Sequence, residues 1–344
     1  NLTLNGFGAG SVNIDVSGSN CAEGCVETYI EGTVITLTAT PDPLATFQGY
    51  SGIPGCTTDP VCQFTLDSDV NVTATFDADT SNANLVFITA GYYGPDFGGS
   101  VEGADAVCQS AADTAGLPGT YRALISGYST GTGAVVNAVD RFDGVGGWIG
   151  TDGRVWATSA ADLFANDHVR YPMHYTEVGS DAQERTYWTG SLPDGTNFDT
   201  RNCDDWAGTG TWGECGRANY GRSFVYSGAL QQCVQTHGLA CLGVDSAATL
   251  TMPDTSANRK AFVTTGEYTV SPGGLSAWDQ YCKDEAIQAG WGTAQDEFVA
   301  LVAPQGEAMI ERLLEANEDY PTLPAGGMWA RVDGVLLAAS MEDL

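Results

Sequence analysis

Positive charge is what this sequence has least of. Thirteen Lys and Arg face 43 Asp and Glu over 344 residues, for a formal net charge of −30. Residues 1–80 contain neither base. A nucleic acid, heparin or an anionic bilayer each calls for a basic patch, so no nucleic-acid partner is expected. No apolar run reaches the length of a membrane helix, so no membrane insertion is expected. No basic-then-apolar leader opens the chain, and any signal peptide is expected to have been removed already. Histidine is nearly absent too: His168, His174 and His237 are all there is, and none stands near a Cys pair at finger spacing, which argues against zinc. There is no C-x-x-C, which argues against a thioredoxin-like redox site.

What is present points outward from the cell. Charged residues make up only 16%, while hydrophobic residues reach 43% and aromatics 10%, enough for packed cores rather than a disordered polyampholyte. The length suits about two domains. Forty-four Gly, with abundant Thr, Ala and Asp, favour strands and long loops over helical bundles. Ten Cys without a metal pattern imply structural disulfides in an oxidising compartment, hence an extracellular protein. The acidic surface fits salty or calcium-rich water.

Along the chain, 33–39 and 70–76 alternate at period two and are expected to be strands, with Pro41, Asp42, Pro43, Gly49, Ser51 and Gly52 in turns. Asp77 to Asn84 is small and polar, and is expected to be a linker. A strand is expected at 85–89. A helix should follow, carrying Ala104, Cys108, Ala111, Ala112 and Ala115 and ending at Gly116; a further strand is expected from Tyr121 to Ser126. From Gly146 to Gly243 short apolar runs alternate with Gly/Asp/Asn loops, the pattern of a loop-rich α+β domain.

The pattern then recurs. Phe87, Gly98-Gly99, Asp105, Cys108, Ala115-Gly116 and Ala123 correspond to Phe262, Gly273-Gly274, Asp279, Cys282, Ala289-Gly290 and Ala300. Trp148, Asp152-Gly153 and Asp162-Leu163 correspond to Trp329, Asp333-Gly334 and Asp343-Leu344. The expected organisation is a first module over 1–80, a second over 85–246, and the N-terminal half of a copy of the second over 259–344. A half-module would leave a sheet edge bare, so three remedies are open: the natural chain continues beyond Leu344, a neighbouring copy donates strands as in a fibre, or Cys282 pairs with Cys215.

Among the ten Cys, the loops Cys21–Cys25 and Cys56–Cys62 are short and rich in small residues, so local pairing is expected; cross-pairing within the four is the alternative. Asp194, Asn197, Asp199, Asp204 and Asp205 lie within twelve residues of loop, an oxygen-rich set that could hold calcium; the competing reading is solvated turn and cap residues. Asp67, Asp69, Asp77 and Asp79 are weaker candidates. Gly127-Tyr128-Ser129-Thr130-Gly131 matches G-x-S-x-G, but Gly131-Thr132-Gly133 is a poor helix start, against a nucleophile elbow. His168 and His174 flank Tyr171-Pro172 without a ligand set and are expected to pack rather than bind. Trp148, Trp156, Trp188, Trp206 and Trp212 could stack on sugar rings, though core positions are the plainer expectation.

Two resemblances sharpen this. Gly8-Ala9-Gly10-Ser11-Val12, Cys21-Ala22-Glu23-Gly24-Cys25, Gly32-Thr33-Val34-Ile35-Thr36-Leu37-Thr38-Ala39-Thr40-Pro41, Phe47-Gln48-Gly49-Tyr50-Ser51-Gly52 and Val72-Thr73-Ala74-Thr75-Phe76 resemble the divergent internalin-type B-repeats of bacterial surface proteins, with Tyr50 where Trp is usual. That implies a small all-β, β-grasp-like module used as spacer or adhesive unit. Cys108-Gln109-Ser110-Ala111-Ala112, Ala115-Gly116-Leu117-Pro118-Gly119-Thr120-Tyr121-Arg122-Ala123, Trp188-Thr189-Gly190-Ser191, Asp194-Gly195, Cys203-Asp204-Asp205-Trp206, Cys233 and Cys241-Leu242 resemble the endostatin domain, an α+β C-type-lectin-like fold, and its bacterial secreted relatives. The resemblance implies nested disulfides, Cys108 to Cys241 and Cys203 to Cys233, and leaves Cys215 without a counterpart. The basic heparin face and the N-terminal zinc histidines of endostatin have no counterpart here.

The expected function is therefore a modular extracellular protein of the bacterial cell surface, acting in adhesion or in surface and fibre assembly. No catalysis is expected. Its partners would be a surface glycan, a protein ligand or further copies of itself. The alternative is a calcium-dependent, carbohydrate-binding lectin, with calcium as the only cofactor in view.

Overall fold

The computed structural model describes residues 1–5, 10–16, 19–21, 25–41, 44–166, 168–182, 184–221, 224–226, 228, 230–252, 259–268, 274–293, 298–302, 329–332 and 335–338. The chain forms small sheets with few helices and divides into two compact units, Asn1–Thr251 and Met252–Leu344.

The first unit holds two separate cores. The N-terminal one is all β: β1 (Leu2–Asn5), β2 (Gly10–Ile14), β3 (Ser19–Cys21), β4 (Thr33–Pro41), β5 (Ala45–Ser51), β6 (Val61–Leu66) and β7 (Val72–Ala78). They make a three-stranded sheet, β1-β7-β5, and a four-stranded sheet, β3-β2-β4-β6. The period-two pattern sets the faces. Ile35, Leu37 and Ala39 of β4 and Val72, Ala74 and Phe76 of β7 point into one core, where fully burying a side chain the size of Phe76 contributes about 2–3 kcal/mol. Phe76 packs on Phe47, and Phe47 edge-on against Tyr50. Gly10 is required beside it, because a Cβ there would lie 2.5 Å from the Phe76 ring. The Tyr50 hydroxyl donates to the Pro60 carbonyl at 3.1 Å, and burial pushes its phenol up to about 12. Cys56 and Cys62 are joined, with Cα atoms 5.6 Å apart. Cys25 is disulfide-bonded; the Cys21 side chain assigned to it by the local scheme lies outside the described residues.

The expected linker is shorter than its polar composition suggests. Asp77 and Ala78 still belong to β7, and Asn84 already belongs to β8 (Asn84–Ile88). Asn84 is buried, donating to the carbonyls of Ser246 (2.9 Å) and Gly147 (3.4 Å) and accepting from Ser246 N (2.9 Å). A small polar residue counted as linker is thus a core clamp.

The second core is built around β8. All five of its residues are buried, as expected of a central strand covered on both faces. Helix α1 (Val101–Ala115) starts at Ser100, whose hydroxyl accepts from Gly103 N, and stops at Gly116 in the left-handed conformation (φ 74°). It turns Val101, Ala104, Cys108 and Ala112 inward. Strand β9 (Tyr121–Ala123) follows, then a short ladder of β10 (Gly127–Tyr128) and β11 (Val135–Val136), helix α2 (Ala138–Arg141), β12 (Gly146–Gly150), β13 (Val155–Ser159) and helix α3 (Ala160–Asn166). Three short strands, β14 (Thr186–Trp188), β15 (Trp212–Gly213) and β16 (Cys215–Arg217), then β17 (Gln231–Gln232), lead to β18 (Ala240–Gly243). The main sheet runs β13-β12-β8-β18-β9, with β12 parallel to β8 and β18 antiparallel to both its neighbours. The expected strand to Ser126 ends at Ala123, because Ser126 N leaves the ladder to bond the Thr189 carbonyl. Trp148 and Trp156 meet edge to face, and Phe142 and Phe224 extend the stack. Disulfides Cys108–Cys241 (Cα 5.4 Å) and Cys203–Cys233 (Cα 5.6 Å) staple α1 to β18 and the long loops together.

In the second unit, β19 (Arg259–Ala261), β20 (Trp329–Arg331) and β21 (Leu336–Ala338) form one sheet in the order β19-β20-β21, and a helix spans Leu275–Gln288. The pairing matches β8, β12 and β13: parallel, then antiparallel, with a register shift directly after Trp329 as after Trp148. Asp279 accepts from Ala300 N at 2.8 Å, as Asp105 accepts from Ala123 N at 2.9 Å. Thr264 donates to the Gly266 carbonyl as Thr89 does to that of Gly91, and Phe262 packs on Phe298 as Phe87 packs on Tyr121. The expected correspondences at Gly273, at Asp333-Gly334 and at Asp343-Leu344 lie outside the described residues.

Candidate functional site

The acidic loop does not assemble as one ligand set. Asp194 folds into an Asx turn, accepting from the N–H (3.0 Å) and hydroxyl (2.6 Å) of Thr196, bonds that hold its carboxyl below the usual range. It sits beside Phe164 and Ala165. Asn197 instead donates to Asp199 at 2.6 Å. Asp199, Asp204 and Asp205 share one neighbourhood: partial burial raises the Asp205 carboxyl, the charges of Asp199 and Asp204 push the same way, and the Asn202 amide at 2.7 Å opposes them. The charge of Asp199 also raises the Tyr128 phenol. Asp204 accepts from the Thr209 hydroxyl at 2.9 Å. Among the described residues, no three of His, Cys, Asp or Glu are arranged to hold a metal ion. Short-range hydrogen bonds engage these oxygens in turns, which spacing alone does not reveal.

Asp204 and Asp205 occupy an unusual turn. Cys203, Asp204, Asp205 and Trp206 all have positive φ, from 52° to 64°. Left-handed backbone costs roughly 1–2 kcal/mol per non-Gly residue, so the surroundings must fix it. The Cys203–Cys233 disulfide anchors one end. The Trp206 indole donates to the Ser126 carbonyl at 2.7 Å from a fully buried ring, and Asn202 accepts from Asp205 N.

Beneath these loops Glu214 is fully buried and pairs with Arg201 at 3.1 Å, while the Arg201 guanidinium lies over the Phe198 ring. Burial raises the Glu214 carboxyl, and Arg201 pulls it back. Cys215 is a buried free thiol, and burial raises it well above the usual range. The Cys215 side chain is fully buried on β16.

A small recess lies between Gly150–Trp156 and Tyr171–Tyr175, with a free volume of about 10 Å³, room for about one water. Asp152, Arg154 and His174 line it. Burial raises the Asp152 carboxyl, against the Arg154 N–H, Arg154 and His174. The buried Trp156 indole N–H also has no hydrogen-bond partner.

The remaining sequence candidates settle into structural roles. Ser129 of the G-x-S-x-G match donates to Glu102 at 2.5 Å and lies in the β10–β11 turn, with a strand rather than a helix directly after it. Trp148, Trp156, Trp188 and Trp206 are buried, and Trp212 is 39% exposed. Spacing gave no signal for Glu214 and Arg201, which pair across a 13-position loop, or for Asn84, whose partner Ser246 lies 162 positions on.

These features describe a multidomain chain of small disulfide-stapled sheets. Residues 9–80 match the family model of the divergent InlB B-repeat domain, a bacterial repeat that suggests an extracellular surface protein. No curated protein matches the chain. No described helix is long and apolar enough to cross a membrane.

Proposed function

We propose that the chain belongs to a modular extracellular protein of the bacterial cell surface, acting in adhesion or in surface and fibre assembly without catalysis. The observation that carries this reading is the match of residues 9–80 to a bacterial surface-protein repeat. Three disulfides support an oxidising location. On this reading the module over 85–246 takes an endostatin-like, C-type-lectin-like fold, supported by the helix-to-strand and loop-to-strand staples at Cys108–Cys241 and Cys203–Cys233. Its partner is a surface glycan, a protein or another copy.

The test uses cells that make the protein. Antibody against the native chain should label intact cells, external protease should remove the signal, and soluble chain should compete with attachment or assembly. A cytosolic protein with reduced Cys108 and Cys241 would end this reading.

A further inference from the structure

A groove of about 590 Å³ opens between the α2–β12 connection, α3 and the extended segment 247–249. That size falls in the range of ligand clefts. Its apolar lining includes Val139, Val145, Ala161 and the buried Phe164. Among the described residues, its charged lining residues are Asp143 and Asp194.

The groove is built rather than incidental. Gly146 N and Gly147 N bond the carbonyls of Ser246 and Ala248, and Leu250 N bonds that of Thr158, so the wall at 247–249 is pinned strand-like. The Asp194 carboxylate is placed by the turn it caps. Gly195 has φ 78°, and a Cβ there would lie 2.6 Å from the Phe164 ring, so the turn presses directly on the groove lining. The Val139 N–H bonds the Gly195 carbonyl and ties that turn to α2.

We propose that this groove docks a short segment of a partner protein that carries apolar side chains flanked by Lys or Arg. Apolar lining and two carboxylates call for that combination. A purely apolar occupant would leave the carboxylates covered without a counter-charge. An acidic occupant would meet like charge from both carboxylates. A second copy of this chain brings another −30 and only thirteen bases, so mutual repulsion disfavours self-docking. The open side suits a chain segment better than an enclosed small molecule. This inference goes beyond the surface-protein reading and stands whatever the protein's location.

The test is fluorescence anisotropy on the full chain with three labelled decapeptides, alternating Lys/Leu, Gln/Leu and Glu/Leu, at low and high salt. The expected result is saturable binding of the Lys/Leu peptide, at least about tenfold tighter than the Gln/Leu one and weakened by salt, with none for Glu/Leu. Ala161→Trp, on an exposed position of α3, should fill the groove and weaken Lys/Leu binding at least about tenfold with unchanged melting; Ala165→Trp serves if that variant does not fold. Asp143→Asn with Asp194→Asn should cost about fivefold or more and flatten the salt dependence. Lys/Leu binding that ignores the Trp variants would show diffuse attraction to an acidic surface and overturn the proposal. So would equal binding of the Gln/Leu peptide, no saturable binding at all, or a self-association that Ala161→Trp abolishes.

Discussion

Removing the Cys108–Cys241 disulfide should be the most damaging of the three staple losses. The bond closes a loop across 133 positions, against 30 for Cys203–Cys233 and 6 for Cys56–Cys62. Loop-closure entropy then assigns about 5, about 3.6 and about 2.2 kcal/mol to the three. Both sulfurs of the long bridge are in fully buried residues, one on α1 and one on β18, so Ala at both positions also leaves a small cavity that adds to the loss. For a module of this size the largest loss corresponds to about 10–20 °C in melting temperature. The assay is calorimetry of the three double Cys→Ala variants in oxidising buffer, with denaturant titration to check that m-values hold. The expected order is Cys108/Cys241, then Cys203/Cys233, then Cys56/Cys62. Equal losses, or the reverse order, would refute the view that these bridges act mainly by restricting the unfolded chain.

Other outcomes follow from single sites. Asn84→Ala strands the Ser246 N–H and two carbonyls inside the second core and should cost about 2–3 kcal/mol by denaturant titration; a loss under about 0.5 kcal/mol would show that the clamp is idle. Gly103→Ala would set a Cβ 1.8 Å from the Phe97 carbonyl, so α1 must shift and melting should fall clearly, by about 2 kcal/mol or more; an unchanged midpoint would contradict the close approach. Burial raises Asp105, Asp152 and Glu214 above their ordinary values, so the folded chain takes up protons before the unfolded one as pH falls. Their sign is a gain in stability between neutral pH and the ordinary carboxylate range. His237, lowered by burial, works oppositely, since the unfolded chain protonates first below about pH 6.5. Melting at low salt should therefore rise from pH 7 toward 5, and more steeply in His237→Gln; a steady fall in both would show the carboxylate signs to be wrong. At pH 7, raising ionic strength should raise the midpoint by screening the −30 charge, whereas equal midpoints at low and high salt would mean self-repulsion is negligible.

Much of the local structure was legible because it rests on neighbours in sequence. The alternation at 33–39 and 70–76 became β4 and β7, since period two alone decides which face a strand buries. The Ala and Cys spacing before Gly116 became α1, ended by the left-handed residue that only Gly adopts cheaply. The repeat placed Asp105 and Asp279 in equivalent hydrogen bonds, accepting from Ala123 N and Ala300 N.

What sequence could not decide was whatever depends on which distant segments meet. The five loop oxygens are close in number, yet turn geometry sends Asp194 to the groove and Asp199, Asp204 and Asp205 to another neighbourhood. The left-handed run Cys203–Trp206 is unfavourable locally and exists because a disulfide and a buried indole hydrogen bond hold it. Asn84 looks like linker until Ser246, 162 positions away, closes on it. Periodicity and turn chemistry therefore determined β4, β7, β8 and α1, because these follow from side-chain chemistry and backbone period. The sheet order and the acidic-lined groove came only with tertiary structure, because each is a property of surfaces brought together across the chain.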